Sequence, residues 1–438
     1  MHSGDRIDTA VIAAGGLGTR LSEKNKGLPK ALTPFNDSTI IDYQIKFLKN
    51  SGISTIYFLL GHKGYEIKDQ ILKNYHTDEI KLIFFEEPEP MGSGGALLYF
   101  LAKLPNIFFF TYCDIYFDFD IQKLAKKHFF KNADFSIVVH PNDHPFDSDL
   151  VECDEGMFVK KIHPHPHVRK TFPGNLVNAA FYILSKNVIS QCSLSIQKHD
   201  FAQDIIPNLL TKELNCYAYK TTELLKDMGT PLRLENLNKL LVNKRDSKFE
   251  KVIFIDRDGT INKCKDGEYI RNAKEINLYQ DVKKSLVKLR LMGYKIIIIT
   301  NQPIIARGCV SFKGMKEIHN ELEYQLAQYS IYIDEIYYCP HHPDGGFDGE
   351  RPELKTICEC RKPNIGLFKK ATRDINICFE KSWMVGDSYR DIDAGINFGI
   401  NSCLIDRAGK DYKYENNPTL RVNSLNKFVE FLDNNTNA

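Results

Sequence analysis

Short β-rich apolar runs alternate with amphipathic helical stretches twice along this chain, and one polar, aperiodic segment, residues 242–250 (VNKRDSKFE), separates the two series. A chain that switches in turn between a period near two and a period near 3.6 folds as a sheet with helices packed on its faces. In the first series the expected strands are 9–14, 56–61, 81–87, 107–114, 135–140, 179–184 and 215–221. A helix is expected from Ser38, as N-cap, to Gly52 just past its end, because Ile41, Ile45 and Leu48 share one face. This pattern predicts a mostly parallel sheet. A helical stretch over 232–241 closes the series. After the polar segment the alternation restarts with strand 251–255, a helix over 281–292 with Val282, Leu286 and Leu289 aligned, and strands 295–299 and 382–385. The expectation is two α/β domains, 1–241 and 251–438, joined by a linker over 242–250, with no internal repeat.

Composition removes several function classes. A chain of 438 residues with 43% apolar and 26% charged residues has ample material for folded cores and is neither disordered nor fibrous. A formal net charge of +2 gives the whole molecule no attraction for nucleic acid or an anionic membrane. Asp5, Arg6 and Asp8 stand where a signal peptide needs an apolar core, and no apolar run approaches the ~20 residues that span a bilayer. Eleven scattered cysteines, an odd number, read as the reduced thiols of a cytoplasmic protein.

The loop Ala13-Ala14-Gly15-Gly16-Leu17-Gly18-Thr19-Arg20-Leu21 follows an apolar strand, and Pro29-Lys30 comes soon after it. Glycines at a strand end let backbone N–H groups approach phosphate, and Arg20 and Lys30 supply positive charge. Leu21 stands where a dinucleotide fingerprint has its third glycine, and the chain contains no G-x-x-x-x-G-K-[ST] loop. Two further acids, Asp114 after Phe108-Phe109-Phe110-Thr111-Tyr112-Cys113 and Asp227 before Met228-Gly229-Thr230-Pro231, complete the set. On these motifs the first half, from about Asp8 to Leu241, resembles the sugar-1-phosphate nucleotidyltransferases, whose fold is a Rossmann-like mixed sheet. The resemblance implies that Gly15, Gly16, Gly18, Thr19, Arg20 and Lys30 handle the triphosphate and that Asp114 and Asp227 hold Mg²⁺. It also implies that Gly92, in Met91-Gly92-Ser93-Gly94-Gly95-Ala96, belongs to a base- and sugar-contacting loop, and that Asn178, in Asn178-Ala179-Ala180, contacts sugar. Where many relatives have an E-K-P stretch, this chain reads Lys160-Lys161-Ile162-His163-Pro164-His165-Pro166-His167, expected to be a solvated loop near an anionic substrate rather than a metal site.

In the second half three apolar strands each end on polar groups: KVIFI on Asp256-Arg257-Asp258-Gly259-Thr260, KIIIIT on Thr300-Asn301-Gln302, and Trp383-Met384-Val385 on Gly386-Asp387-Ser388. Ligands bind at the carboxyl ends of strands in open α/β sheets, so three such endings in one domain point to one site. With Arg361-Lys362-Pro363, these motifs resemble the haloacid-dehalogenase-like (HAD-like) phosphatases from about Lys251 to Ile405. The resemblance implies Asp256 as nucleophile, Asp258 as acid/base, Thr300 holding a phosphate oxygen, Lys362 neutralising charge, and Asp256, Asp258 and Asp387 at Mg²⁺. Asp391 either assists at the ion or is an exposed residue opening the next helix, where its charge suits the dipole.

Cys339-Pro340-His341 and Cys358-Glu359-Cys360 place four soft or imidazole ligands in two close pairs, the make-up of a closed tetrahedral, structural zinc site; His342 is the alternative to His341. Together with T-N-Q-P-I-I-A-R-G and Y-Y-C-P-H-H-P, this cluster resembles the heptose 1,7-bisphosphate 7-phosphatase family. That implies substrate contacts from Asn301, Arg307 and Arg361. Pro303-Ile304 departs from the family's small-residue pair, and the cysteine loop is long. The combined expectation is an enzyme acting on small molecules, an NTP (GTP the first choice) and heptose phosphates, with no nucleic-acid or membrane partner. The alternative is a transferase for another sugar 1-phosphate fused to a different phosphatase, such as one for histidinol phosphate.

Overall fold

The computed structural model describes residues 6–16, 27–35, 37–75, 80–166, 172–228, 230, 233–235, 237–238, 241, 249–264, 268–409 and 416–436. The chain divides into two compact units, one of Met1–His140, Phe146–His167 and Leu176–Val242, the other of Pro141–Pro145, Val168–Asn175 and Asn243–Ala438.

The first unit is built on a nine-stranded sheet. From one edge it runs Val159–His163, Leu150–Cys153, Val177–Ser185, Ile107–Tyr112, Thr9–Ala14, Thr55–Leu60 and Lys81–Glu86, while Phe135–His140 pairs with Val177–Ser185 and with Cys216–Lys220. The four strands from Ile107–Tyr112 to Lys81–Glu86 are parallel to one another, and Val177–Ser185 turns antiparallel against Ile107–Tyr112. The sheet is therefore mixed, with its antiparallel part drawn from the chain after residue 135. Short strands at Leu150–Cys153 and Val159–His163, which pair with each other, and at Leu224–Asp227, which pairs with the distant Ile115–Asp118, escaped the alternation because of their length.

The first expected helix spans Ile40–Asn50 and buries Ile41, Ile45 and Leu48 against the sheet. Each such side chain contributes about 1.5–3 kcal/mol on leaving water. Its N-cap is Thr39, not Ser38: Thr39 is extended, and its hydroxyl accepts from the Asp42 N–H, whereas the Ser38 hydroxyl donates to the Asp42 carboxylate. Gly52 follows the helix with φ +87°, the left-handed conformation that glycine adopts without a Cβ clash. Only part of the stretch 232–241 and the end of the expected linker fall among the described residues. Glu250 bridges Ile377 just before the strand Val252–Ile255.

The second unit has six parallel strands in the order Glu335–Cys339, Lys295–Asn301, Val252–Ile255, Trp383–Gly386, Asn401–Ile405 and Leu420–Val422. Ile296, Ile297, Ile298 and Ile299 are all fully buried. A strand covered on both faces needs such a continuous apolar run. The first strand in sequence, Val252–Ile255, lies between later ones on both sides. Chain order therefore reverses at its carboxyl end, where an open α/β sheet leaves a crevice.

Candidate active sites

In the second unit the strand Val252–Ile255 delivers Asp256 to that crevice, its N–H donating to the Val385 carbonyl at 2.9 Å. The strand Trp383–Gly386 ends one residue before Asp387, and Lys295–Asn301 carries Thr300 to the same edge. Lys362 is 3% exposed; its Nζ lies 2.7 Å from Asp256 Oδ1 and 2.6 Å from Asp391 Oδ1, and donates to the Ile299 carbonyl at 2.7 Å. One carboxylate oxygen from each of Asp256, Asp387 and Asp391 lies within 4.8 Å of the others. Burial, only partly offset by Lys362, pushes Asp256 up to about 6, and burial with the charges of Asp256 and Asp391 pushes Asp387 up to about 8. Three carboxylates sharing one lysine leave surplus negative charge, which a divalent cation with oxygen ligands would offset. Gly259 (φ +80°) makes room for this arrangement, since a Cβ there would stand 2.0 Å from Asp387 Oδ2.

The Asp258 carboxylate stands outside this cluster. Arg257, fully buried, grips it bidentately through Nε (2.9 Å) and Nη2 (2.8 Å), while Gln302 and Asn262 donate to its two oxygens at 2.9 and 3.0 Å. Burial favours the neutral acid, but these four donors prevail and hold Asp258 below the usual carboxylate range. The third carboxylate of the cluster is Asp391, 1% exposed. It does open a helix, accepting from the Ser388 N–H and hydroxyl, yet it is not an exposed residue.

Thr300 is buried and its hydroxyl accepts from Gln302 Nε2 at 3.0 Å. Both ends of the Asn301 amide are engaged with the Lys362 backbone (3.1 and 3.0 Å), which ties this segment to the lysine. Arg257, Gln302 and His319, whose Nε2 lies 3.1 Å from Arg257 Nη1, were missed as site residues. The first two stand inside the quoted motifs, where a signal was present; His319, on the helix Phe312–Ala327, left none.

Cys339, His341, Cys358 and Cys360 converge. Their sulfur–sulfur separations are 3.1–3.5 Å, and His341 Nδ1 lies 3.2 Å from Cys360 Sγ and 3.7 Å from Cys339 Sγ. A tetrahedral ion about 2.3 Å from sulfur and 2.0 Å from nitrogen sets donor–donor edges of about 3.5–3.8 Å, so these four donors fit one with a small expansion. His342 is not the fourth ligand. It is buried, and burial followed by the charges of Arg361 and Arg307 pulls its pKa down.

In the first unit Lys30 Nζ lies 2.7 Å from Asp114 Oδ2. Asp227 pairs in register with Ile115, and the Met228 N–H donates to the Asp114 carbonyl at 3.0 Å, so the two acids, over a hundred residues apart in sequence, are neighbours. Arg233 holds Asp227. Burial opposes the charge on Lys30, but Asp114, with smaller help from Cys113 and Asp227, raises its pKa. Gly15 touches Glu87, another residue the motifs did not flag: a Cβ on Gly15 would stand 2.3 Å from Glu87 Oε1. Glu87 Oε2 accepts from the Met91 N–H at 2.9 Å, and burial pushes this carboxyl upward.

Gly16 borders open space, whereas Gly92 (φ +68°) is packed on the His199 carbonyl, which also takes the Gly94 N–H. The glycines after Met91 thus serve close backbone packing. Asn178 sits at an irregularity in its strand, donating to the Tyr182 hydroxyl and accepting from the Ala180 N–H. His163 meets Glu152 and His165 meets the Phe146 carbonyl, and neither joins a metal-type cluster among the described residues. Gly18, Thr19, Arg20 and His167 lie outside the described residues.

Residues 9–244 match the nucleotidyl transferase family model, and residues 359–428 match that of HAD-hydrolase-like proteins. Over 187 residues, 42% of this chain and 99% of the relative, the sequence is 34% identical to D-glycero-beta-D-manno-heptose-1,7-bisphosphate 7-phosphatase of Haemophilus ducreyi. The Haemophilus influenzae protein of the same name is 36% identical over 160 residues, 36% of this chain and 83% of that one. Among solved structures, HddC from Yersinia pseudotuberculosis aligns with 53% of this chain and 100% of its own at 24% identity and a TM-score of 0.45. The D,D-heptose 1.7-bisphosphate phosphatase of B. bronchiseptica, complexed with magnesium and phosphate, aligns with 42% of this chain and 99% of its own, at 26% identity and a TM-score of 0.35. No helix among the described residues is long and apolar enough to cross a membrane.

Proposed function

Because this chain belongs to the nucleotidyl transferase family over its first half and to the family of the heptose 1,7-bisphosphate 7-phosphatases over its second, we propose that it activates a heptose in two consecutive steps. The second unit removes the 7-phosphate of D-glycero-D-manno-heptose 1,7-bisphosphate. The first unit then transfers a nucleotidyl group to the resulting heptose 1-phosphate and releases pyrophosphate. The observation that carries this reading is a carboxylate–lysine cluster in each unit, Asp256–Lys362–Asp391 in one and Asp114–Lys30 in the other.

In the phosphatase unit an Asp256 oxygen attacks the 7-phosphorus while the C7 oxygen leaves. Asp258, which must first take up a proton and turn from Arg257, protonates that oxygen, then deprotonates the water that cleaves the aspartyl phosphate. Lys362 offsets the repulsion between carboxylate and phosphate, and Thr300 holds a phosphate oxygen. Mg²⁺ held by Asp256, Asp387 and Asp391 would supply the remaining positive charge. In the transferase unit the heptose phosphate oxygen attacks the α-phosphorus of the triphosphate in line, and positioning does most of the work. Lys30 and Arg20 offset the developing charge, Gly15, Gly16, Gly18 and Thr19 admit the phosphates, and Asp114 and Asp227 would hold Mg²⁺. Zn²⁺ fits the Cys339–His341–Cys358–Cys360 donors as a structural ion.

We take the base to be guanine. Glu87 Oε1 accepts no hydrogen bond from the described residues and faces Gly15 at the strand end. A carboxylate accepts only, and guanine presents two adjacent donors, N1–H and N2–H. A cytoplasmic location is supported by eleven cysteines, none in a disulfide.

Two variants separate the steps. Asp256→Asn should abolish phosphate release from the bisphosphate and leave pyrophosphate release from GTP and heptose 1-phosphate. Asp114→Asn should do the reverse. Loss of both activities in either folded variant overturns the two-site reading, and faster hydrolysis of histidinol phosphate than of the bisphosphate overturns the substrate.

A further inference from the structure

Arg307 meets no counter-charge among the described residues. Neither its guanidinium nor that of Arg361 meets a carboxylate among the described residues, and the Arg307 Nε is buried without a hydrogen-bond partner. Aromatic rings hold it instead: the guanidinium carbon lies 4.5 Å from the centre of Phe347 and 5.1 Å from that of Tyr269. Phe347 belongs to the long loop between the Cys339–His341 and Cys358–Cys360 pairs. That loop is locked to the Arg307 segment by backbone, with the Arg351 N–H donating to the Ala306 carbonyl at 2.9 Å. Gly308 (φ +74°) packs so closely on Gly349 that a Cβ would stand 1.8 Å from its carbonyl oxygen. Phe347 also carries Lys355 at 4.5 Å from its ring centre and the edge of His342 at 6.2 Å.

A guanidinium with its faces stacked and its Nε enclosed has only the terminal Nη edge to offer, and that edge matches the paired oxygens of a phosphate. Stacking also removes rotamer freedom in advance, so less is lost when the anion arrives. We propose that Phe347 and Tyr269 are positioning residues that hold Arg307 for the second, non-reacting phosphate of the substrate, and that the loop carrying Phe347 thereby selects bisphosphates over monophosphates. The proposal rests on the phosphatase reading above.

The test compares heptose 1,7-bisphosphate with heptose 7-phosphate as substrates of the full chain. Phe347→Ala should raise KM for the bisphosphate about tenfold, with kcat within about twofold, and should move KM for the monophosphate less than about twofold. Phe347→Trp should restore the bisphosphate KM, whereas Phe347→Leu, apolar but without a π face, should not. Phe347 is 38% exposed, so truncation leaves no buried cavity; an unchanged melting temperature and metal content check that the loop is intact. A bisphosphate KM unmoved by Phe347→Ala, or moved equally for both substrates, overturns the positioning role. If the parent chain does not hydrolyse the bisphosphate, the phosphatase reading itself fails.

Discussion

Replacing Lys362 by methionine removes the cation from a group of three carboxylates, two buried and one half-buried. Its ammonium lies 2.7 Å from Asp256 and 2.6 Å from Asp391. At an effective dielectric near 20, each contact is worth about 6 kcal/mol of Coulomb attraction, from which several kcal/mol per ion must be subtracted for desolvation. Breaking such a buried pair from one side leaves a net loss of about 3–5 kcal/mol. The loss depends on pH in a defined direction. Asp256 and Asp387 have folded-state pKa values of about 6 and about 8, above the ordinary 3.8. Their favourable contribution is complete below about pH 4 and is lost as pH rises through those two values, because the ionised forms repel. The variant should therefore fall furthest behind the parent at pH 8 in chelator, and less at pH 5. Trp383, the only tryptophan, is buried in the strand Trp383–Gly386, so its fluorescence in a urea titration reports on this unit alone. Phosphate release should drop at least about 100-fold, the scale seen when a charge-stabilising donor is removed. Parent-like stability at pH 8, or release within tenfold of the parent, would refute the placement of Lys362.

Three other outcomes follow from local geometry. His128 is 4% exposed, its Nδ1 lies 2.8 Å from Ser136 Oγ, and burial pulls its pKa down to about 4. Its stabilising contribution is complete above about pH 6.5 and is lost as pH falls towards 4, so from pH 7 to 4.5 the first unit should lose about 2–3 kcal/mol more than a His128→Gln variant does, measured by near-ultraviolet circular dichroism in denaturant. Ala180 holds φ +56° in the strand Val177–Ser185, a conformation that costs a Cβ-bearing residue about 1–2 kcal/mol, so Ala180→Gly should be neutral or up to about 1 kcal/mol more stable despite glycine's greater unfolded freedom. Metal analysis of protein purified without chelator should find about one zinc per chain, and its removal should open the loop between Cys339 and Cys360 to protease; a zinc-free protein with an uncut loop contradicts the assignment.

The phosphatase site was legible because three apolar runs each end in polar residues, and parallel packing brings those ends to one edge. Asp256, Thr300 and Asp387 needed no knowledge of loops. What lay beyond that logic was side-chain direction. Nothing in the spacing shows that Asp258 turns to Arg257, or that Asp391, two residues from the half-buried Asp393, is buried at the cluster. The four zinc-type ligands were legible from close pairing alone, whereas the contact between Phe347 and Arg307 depends on how a long loop folds back. In the first unit the parallel strands followed from local periodicity. The antiparallel strands did not: Leu150–Cys153 and Val159–His163 are short, pair with each other, and join the sheet only where Leu150 meets Val177. Glu87 carried no motif and is recognisable only once Gly15 is seen against it.

Two different phosphate chemistries, hydrolysis and nucleotidyl transfer, are expected to operate in one chain. Heptose 1,7-bisphosphate, GTP and Mg²⁺ incubated with the purified protein, with products resolved by mass spectrometry, test this most directly. The prediction is a GDP-heptose that accumulates with one orthophosphate and one pyrophosphate per molecule formed. Heptose 1-phosphate accumulating with every nucleoside triphosphate tried, or a nucleotide-heptose that still carries its 7-phosphate, contradicts it.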